Sequence, residues 1–407
     1  MRATTQQLIQ LWQASWSAAQ RVHRQSLAVF DAWLIFAALG LLVIGWLMVS
    51  SASIAVAELR TGQLGFFAVR QALFILVSLG AALLVVSIPL GYSFRMGYLF
   101  LLAAFALLIL VLLIGREVNG STRWISLGPV NLQTSELAKI CMVIYLSSYL
   151  VRHLQSVRQT LSGFAKPLLM VFLYGAFLFL QPDYGSLVVM TAAALAMVFL
   201  AGARLSYFTV MLVLVVLGLV LVALVEPYRV QRLISFRDPW LHQFDSGYQL
   251  TQALIAYGRG HWLGQGLGNS VQKLFYLPEA HTDFIFSVLS EELGLLGALT
   301  TLGLFVLLVS RVLIIGRLCE QQQQLFAAFV CYGIGILLGL QVVINLGVNL
   351  GLLPTKGLTL PLLSYGGSSL LSSGIMLGLV FRADLERRWQ EAAKASPEQN
   401  RNSFVRS

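Results

Sequence analysis

Pro278-Glu279-Ala280-His281-Thr282-Asp283-Phe284 runs directly into an apolar stretch centred near Ala298, and that stretch itself carries Glu291 and Glu292. Acids at the mouth of, or inside, so apolar a segment are costly and are usually there for function. The rest of the chain shares this character: 58% of its 407 residues are hydrophobic, 11% are charged, and the mean hydropathy is +0.80. No soluble core of this size needs so much apolar sequence, so the chain reads as an integral membrane protein.

Outward from that segment, a span of about 20 apolar residues recurs. Ten candidates are centred near Ala37, Leu79, Ala106, Met142, Leu173, Leu195, Val215, Ala298, Leu337 and Met376. Gln181-Pro182-Asp183-Tyr184 divides the fifth from the sixth, because a proline beside an acid favours a turn over one long helix. The expected fold is an all-α integral membrane protein of ten transmembrane helices, with one long outer loop, 226–282, between helices 7 and 8. Residues 1–31 form an expected cytoplasmic amino-terminal tail, 32–385 the membrane domain and 386–407 a cytoplasmic carboxy-terminal tail. The run starting near Ala32 reads as a retained helix rather than a cleaved signal. Before it, Leu8, Leu11, Trp12 and Trp16 suggest a short interfacial helix, with a disordered tail as the alternative.

Basic residues accumulate on the cytoplasmic side of membranes. With both termini inside, most of the 27 Lys and Arg residues fall on the inner face, among them Arg21, Arg95, Arg152, Arg204, Arg317 and Arg388. Most of the 17 acids fall on the outer side. Topology signals hardly depend on acids, so the acidic bias points to outward-facing chemistry. The basic residues are spread along loops and tails rather than clustered with aromatics, which argues against nucleic acid and is accounted for by anionic membrane lipids.

Four outer segments are polar or glycine-rich. In the first, Gly115 to Lys139, Arg123 stands beside Trp124, and Glu136 and Lys139 lie three apart, able to pair on one helix face. Arg123 is an interfacial anchor or a binding residue, and the pair is a structural ion pair or part of a site. In the second, the long loop, Arg229, Arg232 and Arg237 suit bidentate phosphate contacts. Its run Gly258 to Gly268 lacks a preceding strand and a Walker lysine, so it reads as a tight-turned segment on the membrane rather than a nucleotide loop. In the third, a helix starting near Asp283 would place Glu291 about 12 Å deeper. Burial would raise the pKa of such acids and suit them to act as bases near neutral pH. The competing job for Asp283 is a helix amino-terminal cap. In the fourth, Asn345 to Gly357 and then Ser364-Tyr365-Gly366-Gly367-Ser368-Ser369 indicate broken helices lining a cavity or an interface, with Lys356 facing a polar space.

Cys141, Cys319 and Cys331 are not placed for an outer disulfide, and the five histidines do not cluster at metal-ligand spacing.

Together, Asn119-Gly120 with Arg123-Trp124, Gln181-Pro182-Asp183 with Gly185, Pro278 to Phe284, and Ser364 to Ser369 resemble the signatures of the SEDS family of membrane glycosyltransferases. The resemblance runs from about Asp31 to Arg388. Pro354-Thr355-Lys356-Gly357 is similar to the cell-division branch rather than the elongation branch. Thr134, Ser121 and Ser186 are mild departures from the family pattern.

The resemblance implies polymerisation of lipid II into β-1,4 glycan strands by single inverting displacement, at the division septum of the bacterial inner membrane, with the site facing the periplasm. It implies Asp283 as the catalytic residue. Arg123, Glu136, Lys139, His281, Glu291, Lys356, Ser364 and Ser368 are the expected binding or supporting residues. No cofactor is required by sequence; a divalent cation held by Asp283, Glu136 or Glu291 is compatible but not dictated. The implied partners are a class B penicillin-binding transpeptidase of the FtsI type, with FtsQ, FtsL and FtsB as activators. Two rival readings are a lipid II flippase and a scaffold that recruits the transpeptidase.

Overall fold

The computed structural model describes residues 30–118, 121–126, 128, 131–225, 235–354 and 357–404. The expected interfacial helix near Trp12, Asn119-Gly120, Arg229, Arg232 and Lys356 lie outside the described residues.

In chain order the helices are α1 (Ala32–Ala52), α2 (Ile54–Thr61), α3 (Phe66–Val86), α4 (Leu90–Arg95) and α5 (Gly97–Ile114). Three short strands follow: β1 (Arg116–Val118), β2 (Ser121–Ser126) and β3 (Asn131–Gln133). Then come α6 (Thr134–Arg152), α7 (Leu154–Gln159), α8 (Leu161–Leu180), α9 (Tyr184–Leu200) and α10 (Leu205–Val225). The chain ends with α11 (Tyr248–Gly260), α12 (Ile285–Gln321), α13 (Leu325–Asn349) and α14 (Gly367–Phe404).

Eight helices, α1, α3, α5, α6, α8, α12, α13 and α14, are long and apolar enough to cross a membrane. The two other expected spans fall on α9 and α10, which are shorter apolar helices over their described residues. The exterior carries the apolar residues that a lipid solvent rewards: α3 exposes Leu73, Leu76 and Leu83 while it buries Gln71 and Ser78. Its contact with α14 is close because small residues meet there. A Cβ on Gly374 would lie 2.3 Å from Ser78 Oγ, and one on Gly378 would lie 2.7 Å from the Ala82 carbonyl oxygen.

The all-α expectation needs one correction. The strands form an antiparallel sheet in the order β1-β2-β3, with Arg116 opposite Trp124 and Trp124 opposite Gln133. Thr122, Trp124 and Ile125 suit a pleated, half-buried surface, and the segment is too polar to continue α5. At the other end of the chain, α14 passes residue 386 without a break, so the carboxy-terminal segment starts as an extension of the last span.

Helix α12 is broken at Gly294, whose φ of 67° and ψ of −166° are not helical. Such a break orphans carbonyls before it and amides after it, and in an apolar setting each must find a partner. The glycine-rich segment of the long loop supplies them. Gln265 N donates to the Glu291 carbonyl at 2.9 Å and Gly266 N to that of Glu292 at 3.0 Å; Leu295 N and Leu296 N donate to the carbonyls of His261 and Trp262 at 2.9 and 3.2 Å. This close approach explains the glycines: a Cβ on Gly264 would sit 2.1 Å from the Glu292 carbonyl oxygen, and one on Gly260 would sit 2.0 Å from that of Ser290.

Gly264 and Gly268 both have left-handed φ, 82° and 85°, but no atom of the described residues lies within 4 Å of a Cβ at Gly268. Gly268→Ala is therefore expected to cost only the backbone penalty, about 1–2 kcal/mol. Gly264→Ala is expected to cost more and to expose residues 261–273 to protease, as measured by thermal unfolding and limited proteolysis in detergent.

Side chains reinforce the same joint. Glu291 accepts from Ser270 Oγ at 2.5 Å, Val271 N at 3.2 Å and Gln272 N at 3.3 Å, and pairs with Arg259 at 3.0 Å. Glu292 pairs with Lys273 at 2.7 Å and accepts from Ser51 of α1, also at 2.7 Å. Both carboxylates are fully buried and partnered, as buried acids must be.

Candidate functional site

The segment before α12 is a compact turn built on Glu279, whose φ is +57°. Thr282 N and Phe284 N both donate to the Glu279 carbonyl, at 3.1 and 3.3 Å, and Thr282 Oγ1 donates to the Glu279 carboxylate at 2.7 Å. The carbonyls of His281, Thr282 and Asp283 are taken by other elements. Tyr365 N donates to that of His281 at 3.0 Å and Ser364 Oγ to that of Thr282 at 2.7 Å. The Nδ2 atoms of Asn345 and Asn349 each donate to the Asp283 carbonyl at 3.0 Å.

The aspartate is thus fixed through its backbone, and no described residue hydrogen-bonds its half-buried carboxylate. The helix begins at Ile285, two residues later than expected, and its cap is Phe284 with no side-chain cap bond. The capping job for Asp283 is therefore not adopted: its carbonyl is drawn out to the two asparagines and its side chain does not reach back to the first turn.

Burial raises the Asp283 pKa to about 7, the negative charge of Glu279 adds to the rise, and Arg123 opposes it. Gly357 forms one wall of the carboxylate's surroundings; a Cβ there would come within 2.9 Å of Oδ2. Arg123 reaches the site from β2. Its guanidinium donates to the Pro182 carbonyl, and its Nε is buried with no partner among the described residues. Ser368 accepts from Gln133 N at 2.8 Å and donates to the Asn131 carbonyl at 3.2 Å, which ties β3, and through it β2, to the start of α14. His281 packs against the rings of Phe67 and Tyr365, with centroids at 5.2 and 5.6 Å. Burial holds its imidazole below the usual pKa, Glu279 opposes and Arg60 reinforces the shift, so the ring is neutral near pH 7.

Residues 32–389 match the family model described as the FtsW/RodA/SpoVE cell cycle protein. The chain belongs to this FtsW/RodA/SpoVE family. It is 52% identical over 379 residues to a probable peptidoglycan glycosyltransferase FtsW of Halomonas elongata, covering 93% of this chain and 96% of that one. It is 52% identical to the probable FtsW glycosyltransferase of Coxiella burnetii, covering 88% and 96%. Among solved structures it resembles a chain of a peptidoglycan synthase complex that coordinates polymerization and crosslinking: TM-score 0.71, 30% identity, 89% of this chain and 99% of that one. The rod shape determining protein RodA of Thermus thermophilus is also similar, with TM-score 0.65, 29% identity, and 89% and 98% coverage.

Within this FtsW/RodA/SpoVE fold, Asp283, His281, Ser364 and Arg123 gather in one place, and Ser368 supports it through the sheet. Glu136 and Lys139 do form the expected pair, at 2.7 Å, but inside the bundle, where Glu136 also accepts from Ser372 of α14 at 2.8 Å. Glu291 is committed to Arg259 and the loop. Among the described residues no three His, Cys, Asp or Glu side chains converge to hold a metal, and the carboxylates of Glu136 and Glu291 already face cations of the protein. Two of the three acids expected to hold a divalent cation, Glu136 and Glu291, are thus committed to cations of the protein.

Sequence reading singled out the Asn345–Gly357 segment for its breaks but assigned no role to Asn345, Asn349 or Gly357. Two asparagines four apart in an otherwise apolar helix are the signal that was available.

Proposed function

We propose that this chain polymerises lipid II into β-1,4 glycan strands as a septal peptidoglycan glycosyltransferase of the bacterial inner membrane, spanning it ten times with both termini in the cytoplasm and the Asp283 site facing the periplasm. The observation that carries the reading is the Asp283 carboxylate: held by its backbone, with no hydrogen-bond donor among the described residues, and with its pKa pushed up to about 7 by burial. A base needs that combination, since a carboxylate saturated with donors is too weak to accept a proton.

In the proposed step, Asp283 takes the proton of the acceptor GlcNAc 4-hydroxyl as that oxygen bonds to the donor's anomeric carbon. The bond from that carbon to the pyrophosphate oxygen breaks, and undecaprenyl pyrophosphate leaves with the bonding pair. One displacement inverts the α-linkage to β and needs no covalent enzyme intermediate, by analogy with inverting sugar hydrolysis. The leaving group needs positive charge, which Arg123 brings to the site. Lys139 is neutralised by Glu136, whereas Lys356, next to Gly357, is a second candidate for that charge from the sequence.

A class B penicillin-binding transpeptidase fits as the crosslinking partner, with FtsQ, FtsL and FtsB as activators. The test is to reconstitute the purified chain with that transpeptidase and fluorescent lipid II and to resolve products on a gel. Glycan ladders are expected; movement of lipid II between leaflets with no polymer would favour the flippase reading instead.

Arg123 lowers the Asp283 pKa. Arg123→Ala is therefore expected to move the acidic limb of the polymerisation rate to higher pH and to raise KM for lipid II, both read from the rate as a function of pH and substrate.

A further inference from the structure

We propose that Asn345 and Asn349 are positioning residues for Asp283, an amide pair that fixes the aspartate by its main chain and leaves the carboxylate free to take a proton. The inference rests on the reading of Asp283 as the base.

The two asparagines lie four apart on α13 and so project from one face. They are 2% and 0% exposed. A carbonyl oxygen has two lone pairs, and both side-chain amides converge on that of Asp283. In a regular helix this carbonyl would accept from Ser287 N, which instead donates to the Phe284 carbonyl at 3.1 Å. The asparagines thus stand in for a helix turn that has not yet begun.

Each amide also has a second attachment that gives it a defined place. Asn345 Nδ2 donates to the Leu358 carbonyl at 2.5 Å, so one amide ties the Asp283 turn to the segment in which Gly357 leaves room for the carboxylate. Asn349 Nδ2 donates to the Asn345 carbonyl at 2.9 Å, and its Oδ1 accepts from Ser287 Oγ of α12, also at 2.9 Å. Both sides of the carboxylate are therefore referenced to one helix. Misplacement of a reacting group by about 1 Å can cost a hundredfold in rate, which is the scale on which such a clamp acts.

Among the described residues, the groups that face Asp283 with charge are Glu279 from its own turn and Arg123 from β2. Helix α13 carries no charged residue, and the acids of α12 nearest in sequence, Glu291 and Glu292, are paired with Arg259 and Lys273. A shift in the pH profile of an asparagine variant therefore reports a change in how Asp283 sits relative to Glu279, Arg123 and solvent.

The experiment compares Asn345→Ser, Asn349→Ser and Ser287→Ala with the native chain, each reconstituted with the transpeptidase partner and assayed with lipid II for kcat, KM, pH profile and melting temperature. Expected for each asparagine variant is a fall in kcat of about 10–100-fold with KM changed by less than about threefold, and a displaced acidic limb. Ser287→Ala, which removes the hydroxyl that donates to Asn349 Oδ1, is expected to lower kcat by about 3–10-fold and serves if the asparagine variants do not fold. Native kcat and pH profile in folded variants would overturn the proposal, as would activity lost only in proportion to unfolded protein. Asp283→Asn, run alongside, separates the two claims. An inactive Asp283→Asn with native-like asparagine variants removes the clamp alone, whereas a fully active Asp283→Asn removes the base and the clamp with it.

Discussion

Asp283→Asn is expected to lower lipid II polymerisation by about 10²–10⁴-fold, the range that a positioned general base supplies. The substitution keeps the shape of the side chain and leaves the main-chain carbonyl to which Asn345 and Asn349 donate, so the turn should persist. Stability should move the other way. The folded chain holds the Asp283 proton up to about pH 7, against an ordinary value of 3.8. Between those values the native state binds more protons than the unfolded one, so stability from this site falls as pH rises and the penalty is complete above about 7. Asp283→Asn removes that penalty, and its melting temperature at pH 8 should equal or exceed that of the native chain. Loss of activity together with gain of stability marks a group kept for chemistry and not for the fold.

The second large effect belongs to Lys139. Its ammonium is buried and lies 2.7 Å from the Glu136 carboxylate, which is 4% exposed. Lys139→Met would leave that carboxylate with the Ser372 hydroxyl as its one remaining partner among the described residues. Breaking a buried pair from one side costs about 3–5 kcal/mol, because the remaining charge is left uncompensated. A lower melting temperature in detergent is expected for Lys139→Met, with most of the loss recovered in Glu136→Gln/Lys139→Met. A Lys139→Met chain that melts like the native one and shows only a raised KM would instead place Lys139 on the substrate's phosphates.

How far the sequence carried depends on whether a feature is set locally or by approach of distant parts. Apolar runs are local, and the spans follow from them. The Glu136–Lys139 pair is local too, since three residues on a helix decide it. Asp283 stood out because an acid beside an apolar run has few ordinary reasons to be there. The sheet was missed because its strands are short and its hairpin lay inside a segment read for its motif. The break at Gly294 gave no local sign: its glycine is one of many, and it matters because His261 to Gly266 come back to supply the missing hydrogen bonds. The same holds for Gly264, whose need for a bare α-carbon arises from the Glu292 carbonyl 28 residues later. Glu291 could be read from sequence as chemical or structural, and only its contacts to Arg259, Ser270, Val271 and Gln272 show that it binds the loop.

The central claim, that Asp283 is the base of a lipid II polymerase, is tested most directly by the polymerisation rate from about pH 5 to about pH 9 at saturating lipid II, with native chain and Asp283→Asn each bound to the transpeptidase. The account predicts a native rate that rises through one ionisation with its midpoint at about 7, and no such limb in Asp283→Asn. A native rate that is flat across this range, or the same rising limb in Asp283→Asn, would contradict it.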